Sequence, residues 1–158
     1  MELVGFVGER AARSEAQEAQ VVRVYGVDSG GTCGIASWHE GVLVDVVELE
    51  PMEALDYMAW DLTGSDHVAC ESFIPRPGVR TWQPDALEVI GALRYVCYRR
   101  GASFELQSPA DAKRFSTNEK LKKLGWYHPT PGGHANDGLR HLLLALVRLR
   151  LVAAETLL

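Results

Sequence analysis

The chain has 158 residues, of which 47% are hydrophobic and 23% charged, values typical of one globular domain and unlike those of disordered proteins. It shows neither an unbroken apolar run of spanning length nor a secretory signal pattern, so we expect a cytoplasmic protein with no membrane partner. The net charge of −5 hides an asymmetry, because residues 1–70 carry −10 and residues 71–158 carry +5. The second half could therefore present a basic face to phosphates.

The first part of the chain predicts a tail followed by a sheet. Residues 1–20 are predicted to form a polar tail or short helix, and residues 21–158 a single domain. The segments VVRVYGVD, TCGIASWHE and VLVDVVELE are rich in β-branched residues and are separated by glycines. This pattern predicts three strands in an antiparallel meander.

The middle of the chain predicts two helices around a buried strand. MEALDYMAWDL repeats apolar residues at helical spacing, and the apolar run HVACE suits a central strand. The prolines and glycine of SFIPRPGVRTW predict a loop. Pro84 is then suited to the first position of a long helix, PDALEVIGALRYVCYRR, which Gly101 ends.

The last third predicts one more strand and the final helices. ASFELQ alternates as a strand, and Ser108 can cap a short helix over PADAKRF. A basic stretch, NEKLKKLGW, and a loop, YHPTPGG, precede an apolar helix predicted from about His134 to Glu155. The order βββαβαβα predicts an α/β domain, a five-stranded mixed sheet flanked by helices.

Three acidic residues fall where elements end or begin. Asp28 ends the first strand, Glu71 ends the fourth, and Asp137 follows His134 by three residues on the same helix face. If the two strands are neighbours, their carboxylates lie together, an arrangement that is costly unless a cation compensates it. Oxygen ligands favour Mg²⁺ or Mn²⁺, and two such ions about 4 Å apart can support phosphodiester hydrolysis.

Each acid also has a simpler explanation. Asp28 could cap the glycine turn, and Glu71 could pair with Arg76 or Arg80. Asp137 could be an acid in the first turn of a helix that interacts favourably with the positive end of the helix dipole. One shared site explains all three acids at once, and we favour it over three separate explanations.

Several segments together resemble a known family. They are GVDSGGTCGIASW with Asp28, HVACESF with Glu71, PADAKRF with Lys113, TNEK with Lys120, and HANDGLRH before the apolar helix. In this order and spacing they resemble the RuvC-type Holliday junction resolvases of the RNase H superfamily, above all the short RuvC-like nucleases of bacteriophages. The resemblance covers roughly residues 21 to 150 and implies a ribonuclease H fold.

The resemblance also implies an activity. It implies a homodimeric endonuclease of DNA recombination and repair that depends on Mg²⁺ or Mn²⁺, with two ions, and cuts branched DNA such as four-way junctions. A bacteriophage protein of this kind would work in the host cytoplasm. The metal-binding and catalytic residues would be Asp28, Glu71, His134 and Asp137. His134 could bind metal or could orient or deprotonate the attacking water, and His141 could support the site or be a buried helix histidine.

Basic residues around these acids are candidates for binding the DNA backbone. Lys113 and Lys120 match basic family positions, and Trp82 and Trp126 add flat aromatic faces to the same segments. The alternative is that these charges are solvated and the tryptophans pack in the domain. The full set of predicted nucleic-acid-binding residues is Arg76, Arg80, Lys113, Arg114, Lys120, Lys122 and Lys123.

Parts of the sequence also suit other functions. The DSGGT turn suits an actin-like nucleotide-binding lobe, but a second lobe and a second phosphate hairpin are missing from the sequence. An RNase H or YqgF-like nuclease acting on RNA or RNA–DNA hybrids, or a non-catalytic DNA-binding module of the same fold, remains possible.

Two further expectations concern the cysteines and the glycines. The cysteines are expected to be reduced and buried, because a zinc site of Cys33, His39, His67 and Cys70 has unusual spacing. The glycines of the turn, Gly30, Gly31 and Gly34, are expected to let a DNA backbone approach Asp28.

Overall fold

The computed structural model describes residues 23–73, 78 and 84–157. The predicted tail, and Arg76, Arg80 and Trp82 in the predicted loop, lie outside these residues. The elements in chain order are β1 Val24–Asp28, β2 Cys33–His39, β3 Val42–Leu49, α1 Pro51–Asp61, β4 His67–Glu71, α2 Pro84–Arg100, β5 Ser103–Gln107, α3 Pro109–Phe115, α4 Asn118–Lys123, α5 His134–Arg148 and a 3₁₀ helix Ala154–Leu157. None of the helices in this part of the chain is long and apolar enough to cross a membrane.

The five strands form one mixed sheet in the order β3-β2-β1-β4-β5. The meander of β1, β2 and β3 is antiparallel, whereas β4 runs parallel to both β1 and β5. Val27 pairs with Cys70 in the β1–β4 register, so the next residue of each strand, Asp28 and Glu71, leaves the sheet at the same edge. The predicted five-stranded sheet and the neighbouring positions of the two acids are confirmed.

Helices cover both faces of the sheet. Helices α1 and α2 pack on one face, where Met58 and Leu93 meet Val27 and Ile35 in an apolar core. Helices α4 and α5 cover the other face. There the sheet and both helices contribute to a second core, which includes Val24, Ala36, Ala69, Leu121, Leu139 and Leu142. Burial of α5 against β1 and β2 brings its first turn to the edge where Asp28 lies.

Glycines set how closely α5 approaches the sheet. A Cβ on Gly34 would overlap the backbone carbonyl of His134, and a Cβ on Gly26 would overlap the backbone of Gly138 and Leu142. Gly34 lies in β2 opposite Asp28, so the expectation that it leaves room for DNA is wrong, because a helix backbone occupies that space. Gly30 and Gly31 do lie in the turn between β1 and β2.

The last helices differ from the prediction. Helix α5 ends at Arg148 rather than near Glu155, because the chain turns at Arg150, whose φ of 58° is incompatible with a continuing helix. The basic stretch contains helix α4, capped by the Thr117 hydroxyl, which was not predicted because the helix has only 6 residues. The predicted Ser108 cap of α3 is confirmed, since its side chain accepts the N–H of Asp111.

Candidate active site

The structure brings Asp28, Glu71, His134 and Asp137 to one edge of the sheet. Asp28 comes from the end of β1, Glu71 from the end of β4, and the other two from the first turn of α5. His134 Nδ1 lies 2.9 Å from Asp28 Oδ2. Because an ionised carboxylate only accepts hydrogen bonds, Nδ1 carries the hydrogen of this contact, and in a neutral ring Nε2 would be left as an acceptor.

The Asp28 carboxyl group is buried among other acids. Its residue is only 7% exposed. Burial, together with the nearby negative charges of Glu71 and Asp137, raises the pKa of Asp28 to about 6, while the hydrogen bond from His134 opposes this shift. Asp28 therefore shares one electrostatic environment with Glu71 and Asp137, and positive charge added beside it would favour its ionised form.

Two cations contact Asp137. Lys113 Nζ, from α3, lies 3.6 Å from Asp137 Oδ2, and Arg140, one turn later on α5, donates to Oδ1. The Arg140 guanidinium also donates to the side chain of Asn118 and, over 3.2 Å, to the carbonyl of Ser116. Arg140 therefore links α5, the helix that carries Asp137, to the connection between α3 and α4, and so to the lysines of these two helices.

Glu71 contacts a buried histidine. His141 Nε2 lies 2.9 Å from Glu71 Oε2, and His141 Nδ1 lies 3.0 Å from Gln107 Oε1. The imidazole belongs to the core and also contacts the site, so both sequence interpretations of His141 apply. Gln107 was not identified from the sequence, because nothing in ASFELQ distinguishes its amide from that of a surface glutamine.

Glu48 is a second residue that sequence reasoning missed. The N-cap of α5, Gly133, offers no side chain to the first turn of the helix and has a φ of 73°. Instead Glu48 Oε1, on β3, accepts the backbone N–H of Ala135 at 2.8 Å and the hydroxyl of Thr130 at 2.7 Å. The backbone N–H of Ala135 is the main reason why the pKa of Glu48 lies below its usual value. A carboxylate from the edge strand thus caps the helix that carries His134 and Asp137.

The predicted nucleic-acid-binding residues are distributed unevenly. Among those described, Lys113 contacts the acids, whereas Lys120 donates to the carbonyl of Phe115 at 2.9 Å and Lys122 lies 4.9 Å from the centre of the Tyr127 ring. Arg114 pairs with Asp111 on the exposed side of α3, and Lys123 is exposed at the end of α4. Trp126 packs partly buried on the second core, as its alternative interpretation expected.

An open cleft of about 500 Å³ lies beside Asp137. Residues of α3, α4, α5 and the loop before α5 line it, among them Lys113, Asn118, Tyr127, Gly132, Asp137 and Arg140. The cleft gives an extended ligand access to Asp137 beside Lys113 and Arg140.

The donor atoms of the site suit a divalent ion that prefers oxygen. Within residues 23–73, 78 and 84–157, no group of three or more His, Cys, Asp or Glu side chains is arranged closely enough to bind a metal directly. The acids instead contact His134, His141, Lys113 and Arg140. The raised pKa of Asp28 nevertheless reflects burial first and the nearby charges of Glu71 and Asp137 second, and a divalent cation beside the carboxylate would oppose both effects.

The described residues also give no support to the zinc alternative. All three cysteines are buried and free, as predicted, and burial raises the pKa of Cys33. His67 Nδ1 contacts the Ser103 hydroxyl at 3.0 Å rather than a thiol.

Comparison with known proteins identifies the fold. No protein-family model and no curated protein sequence matches the chain. Two structures of Thermus thermophilus RuvC, one of them in complex with a Holliday junction substrate, are 16% identical to it, with TM-scores of 0.57 and 0.58. Both matches cover 81% of this chain and 96% of RuvC. The chain has the RNase H-like fold of RuvC.

This RuvC-like fold confirms the predicted fold class. The fowlpox virus Holliday junction resolvase also matches, at 12% identity and a TM-score of 0.48, over 82% of this chain and 99% of the viral protein. The special resemblance to bacteriophage nucleases stays a prediction.

Proposed function

We propose that the protein is a divalent-metal-dependent, structure-specific endonuclease that hydrolyses phosphodiester bonds in branched DNA, with four-way junctions as the expected substrate. The observation that carries this proposal is the buried Asp28 carboxyl group, which shares one sheet edge with Glu71, His134 and Asp137. The RuvC-like fold supports it, because one of the similar RuvC structures is described as a complex with a Holliday junction substrate.

Asp28, Glu71 and Asp137 would hold Mg²⁺ or Mn²⁺ in this proposal, and His134 is a further candidate ligand. The bound ions would supply an activated water and stabilise the leaving oxygen. If His134 is not a ligand, its free Nε2 can accept a proton from the attacking water while Asp28 fixes the ring through Nδ1. We expect two ions, as the resemblance to RuvC-type resolvases implies.

Lys113 would hold the DNA backbone beside the acids. Its side chain is 56% exposed and lies 3.6 Å from Asp137, so it can contact a phosphate at the mouth of the cleft. The other predicted contacts, including Arg76 and Arg80, would add binding strength and position rather than sequence choice. We further propose a homodimer, because paired cuts across a symmetric junction require two active sites.

The test compares cleavage of a four-way junction, a flap, a linear duplex and an RNA–DNA hybrid in Mg²⁺ and in Mn²⁺. We expect the junction to be cut best, and Asp28→Asn to lower the rate by at least about 100-fold. Asp56→Asn is the matched control, because this exposed acid lies on α1, on the opposite face of the sheet. Equal cutting by wild type and Asp28→Asn would refute the site.

The same experiment separates the other functions. Preferred cutting of the hybrid would indicate an RNase H or YqgF-like enzyme, and junction binding without cutting in either metal would indicate a non-catalytic DNA-binding module. Light scattering of the free protein and of the junction complex tests the dimer.

A further inference from the structure

His141 is fully buried and yet contacts the proposed metal site. It lies one turn beyond Asp137 on α5, and its residue is only 1% exposed. Its Nε2 reaches Glu71 Oε2 at 2.9 Å. The Glu71 carboxylate therefore meets a rigid core group on one side and the site on the other.

The orientation of the His141 ring is fixed by Gln107. The Gln107 amide Nε2 lies 2.6 Å from Glu105 Oε1, and a carboxylate can only accept, so the amide nitrogen must face Glu105. The amide oxygen therefore faces His141 and accepts its Nδ1–H at 3.0 Å. Nε2 faces Glu71, whose carboxylate also only accepts, so both contacts are hydrogen bonds when each ring nitrogen carries a hydrogen, as in the imidazolium form.

Two continuous contacts link Gln107, His141 and Glu71, which come from three different elements. Gln107 ends β5 and is 1% exposed, Glu71 ends the neighbouring β4, and His141 comes from α5 above them. If His141 only packed among the leucines of α5, it would not need to contact the Glu71 carboxylate, whose side chain is 21% exposed. That contact instead restricts a side chain that could otherwise rotate towards solvent.

We propose that Gln107 and His141 act together as a positioning pair that holds the Glu71 carboxylate in the orientation for binding the divalent ion. This inference rests on the proposed function and assigns work to two residues that do not touch substrate. Hydrogen-bonded partners of this kind typically change metal affinity or activity about 10–100-fold when removed. Because Gln107 acts through His141, its effect disappears once His141 is replaced.

The test measures metal affinity in two ways. The Mn²⁺-induced rise in melting temperature is recorded without DNA, and the half-saturating Mn²⁺ concentration is recorded in junction cleavage. The variants are Gln107→Leu, His141→Leu and the double variant. His141→Gln is added because its amide nitrogen can reach the position of the imidazole Nε2. Leu146→Val, a buried change on the same helix, is the control for altered packing.

We expect His141→Leu and Gln107→Leu to raise the half-saturating Mn²⁺ concentration about 10–100-fold. The double variant should resemble His141→Leu, the effects being non-additive, and His141→Gln should lose less than His141→Leu. Leu146→Val should leave the Mn²⁺ requirement unchanged.

Unaltered Mn²⁺ requirements in folded His141→Leu and Gln107→Leu, beside a wild type that responds to Mn²⁺, would show that His141 is only a core residue. Additive effects would refute the action of Gln107 through His141. A wild type with neither a Mn²⁺-induced shift nor cleavage would instead refute the proposed function, and the positioning role with it.

Discussion

Gly34 on β2 lies directly against the backbone carbonyl of His134, with no space between them for a methyl group. A Cβ on Gly138, one turn into the same helix, would overlap the backbone of Gly34, so that glycine faces glycine where α5 crosses the sheet. The distance between α5 and the sheet is therefore set by glycines, which have no side chain. This close approach allows the His134 ring to reach Asp28.

Gly34→Ala should displace the start of α5. Overpacking in a core costs about 1–3 kcal/mol, and here the obstacle is backbone, which cannot rotate away. We expect a loss of stability in urea unfolding together with loss of cleavage. Gly91→Ala is the control, because Gly91 lies at an exposed position of α2, where a Cβ would meet nothing within 4 Å and should stabilise the protein. Wild-type stability in Gly34→Ala would contradict the described packing.

Glu48→Ala should weaken the start of α5 by removing its cap. Loss of an N-cap acceptor typically costs about 1 kcal/mol, and Glu48→Gln, which keeps an acceptor oxygen, should lose less. The folded-state pKa of Glu48 lies below its ordinary value of 4.5, so its charge stabilises the fold above that pH. The advantage of wild type over Glu48→Ala should therefore shrink as the pH falls through the folded-state pKa. Urea unfolding at pH 7 and at pH 3 measures both differences, and a gap that widens in acid would contradict this role.

Arg140→Ala should destabilise the protein more than loss of a surface ion pair. The Arg140 side chain is 15% exposed, and its guanidinium donates hydrogen bonds to Asp137, to Asn118 and to the Ser116 carbonyl at the same time. Losing such charge-assisted bonds costs about 2–3 kcal/mol. Arg114→Ala, which breaks only the exposed pair with Asp111, should cost less than about 1 kcal/mol. Equal effects of the two variants in urea unfolding would argue against Arg140 as the link between α5 and the α3–α4 connection.

Lys113→Ala should weaken junction binding without unfolding the protein. One lost phosphate contact lowers the slope of log affinity against log salt by about 1. Its ion pair with Asp137 is partly exposed, so we expect a stability change below about 1 kcal/mol. Arg99→Ala is the matched control, since Arg99 lies on α2, on the other face of the sheet. Fluorescence anisotropy across a salt series gives the slopes, and identical slopes would remove Lys113 from the interface.

The sequence predicted the strands and the site acids because both leave local signals. β-Branched runs marked β1 to β3 and an apolar run marked β4, and Asp28 and Glu71 were conspicuous as single acids at the ends of apolar segments. The register that makes them neighbours follows from the parallel β1–β4 pair, which the sequence pattern left as a condition.

The remaining contacts could not be read from the chain. Glu48 looks like any acid of an exposed strand until Ala135, 87 residues later, is placed against it. Gln107 acquires its role only through His141, a contact between β5 and α5. Gly34 was assigned to the turn because the sequence shows the glycine but not the helix that needs the space. In each case the partner is distant in sequence, and local pattern carries no information about it.

The contact of Asp28 with His134 joins residues 106 positions apart, and this separation governs when the site can exist. A chain emerging from the ribosome can pair β1 with β2 and β3 at once, but Ala36 and Ala69 stay uncovered on that face of the sheet until α5 arrives. Under the proposed function, a nascent or truncated chain without α5 holds Asp28 and Glu71 but cannot cut. Under the same proposal, synthesis of α5 is the step that completes the site, and cleavage has to wait for it.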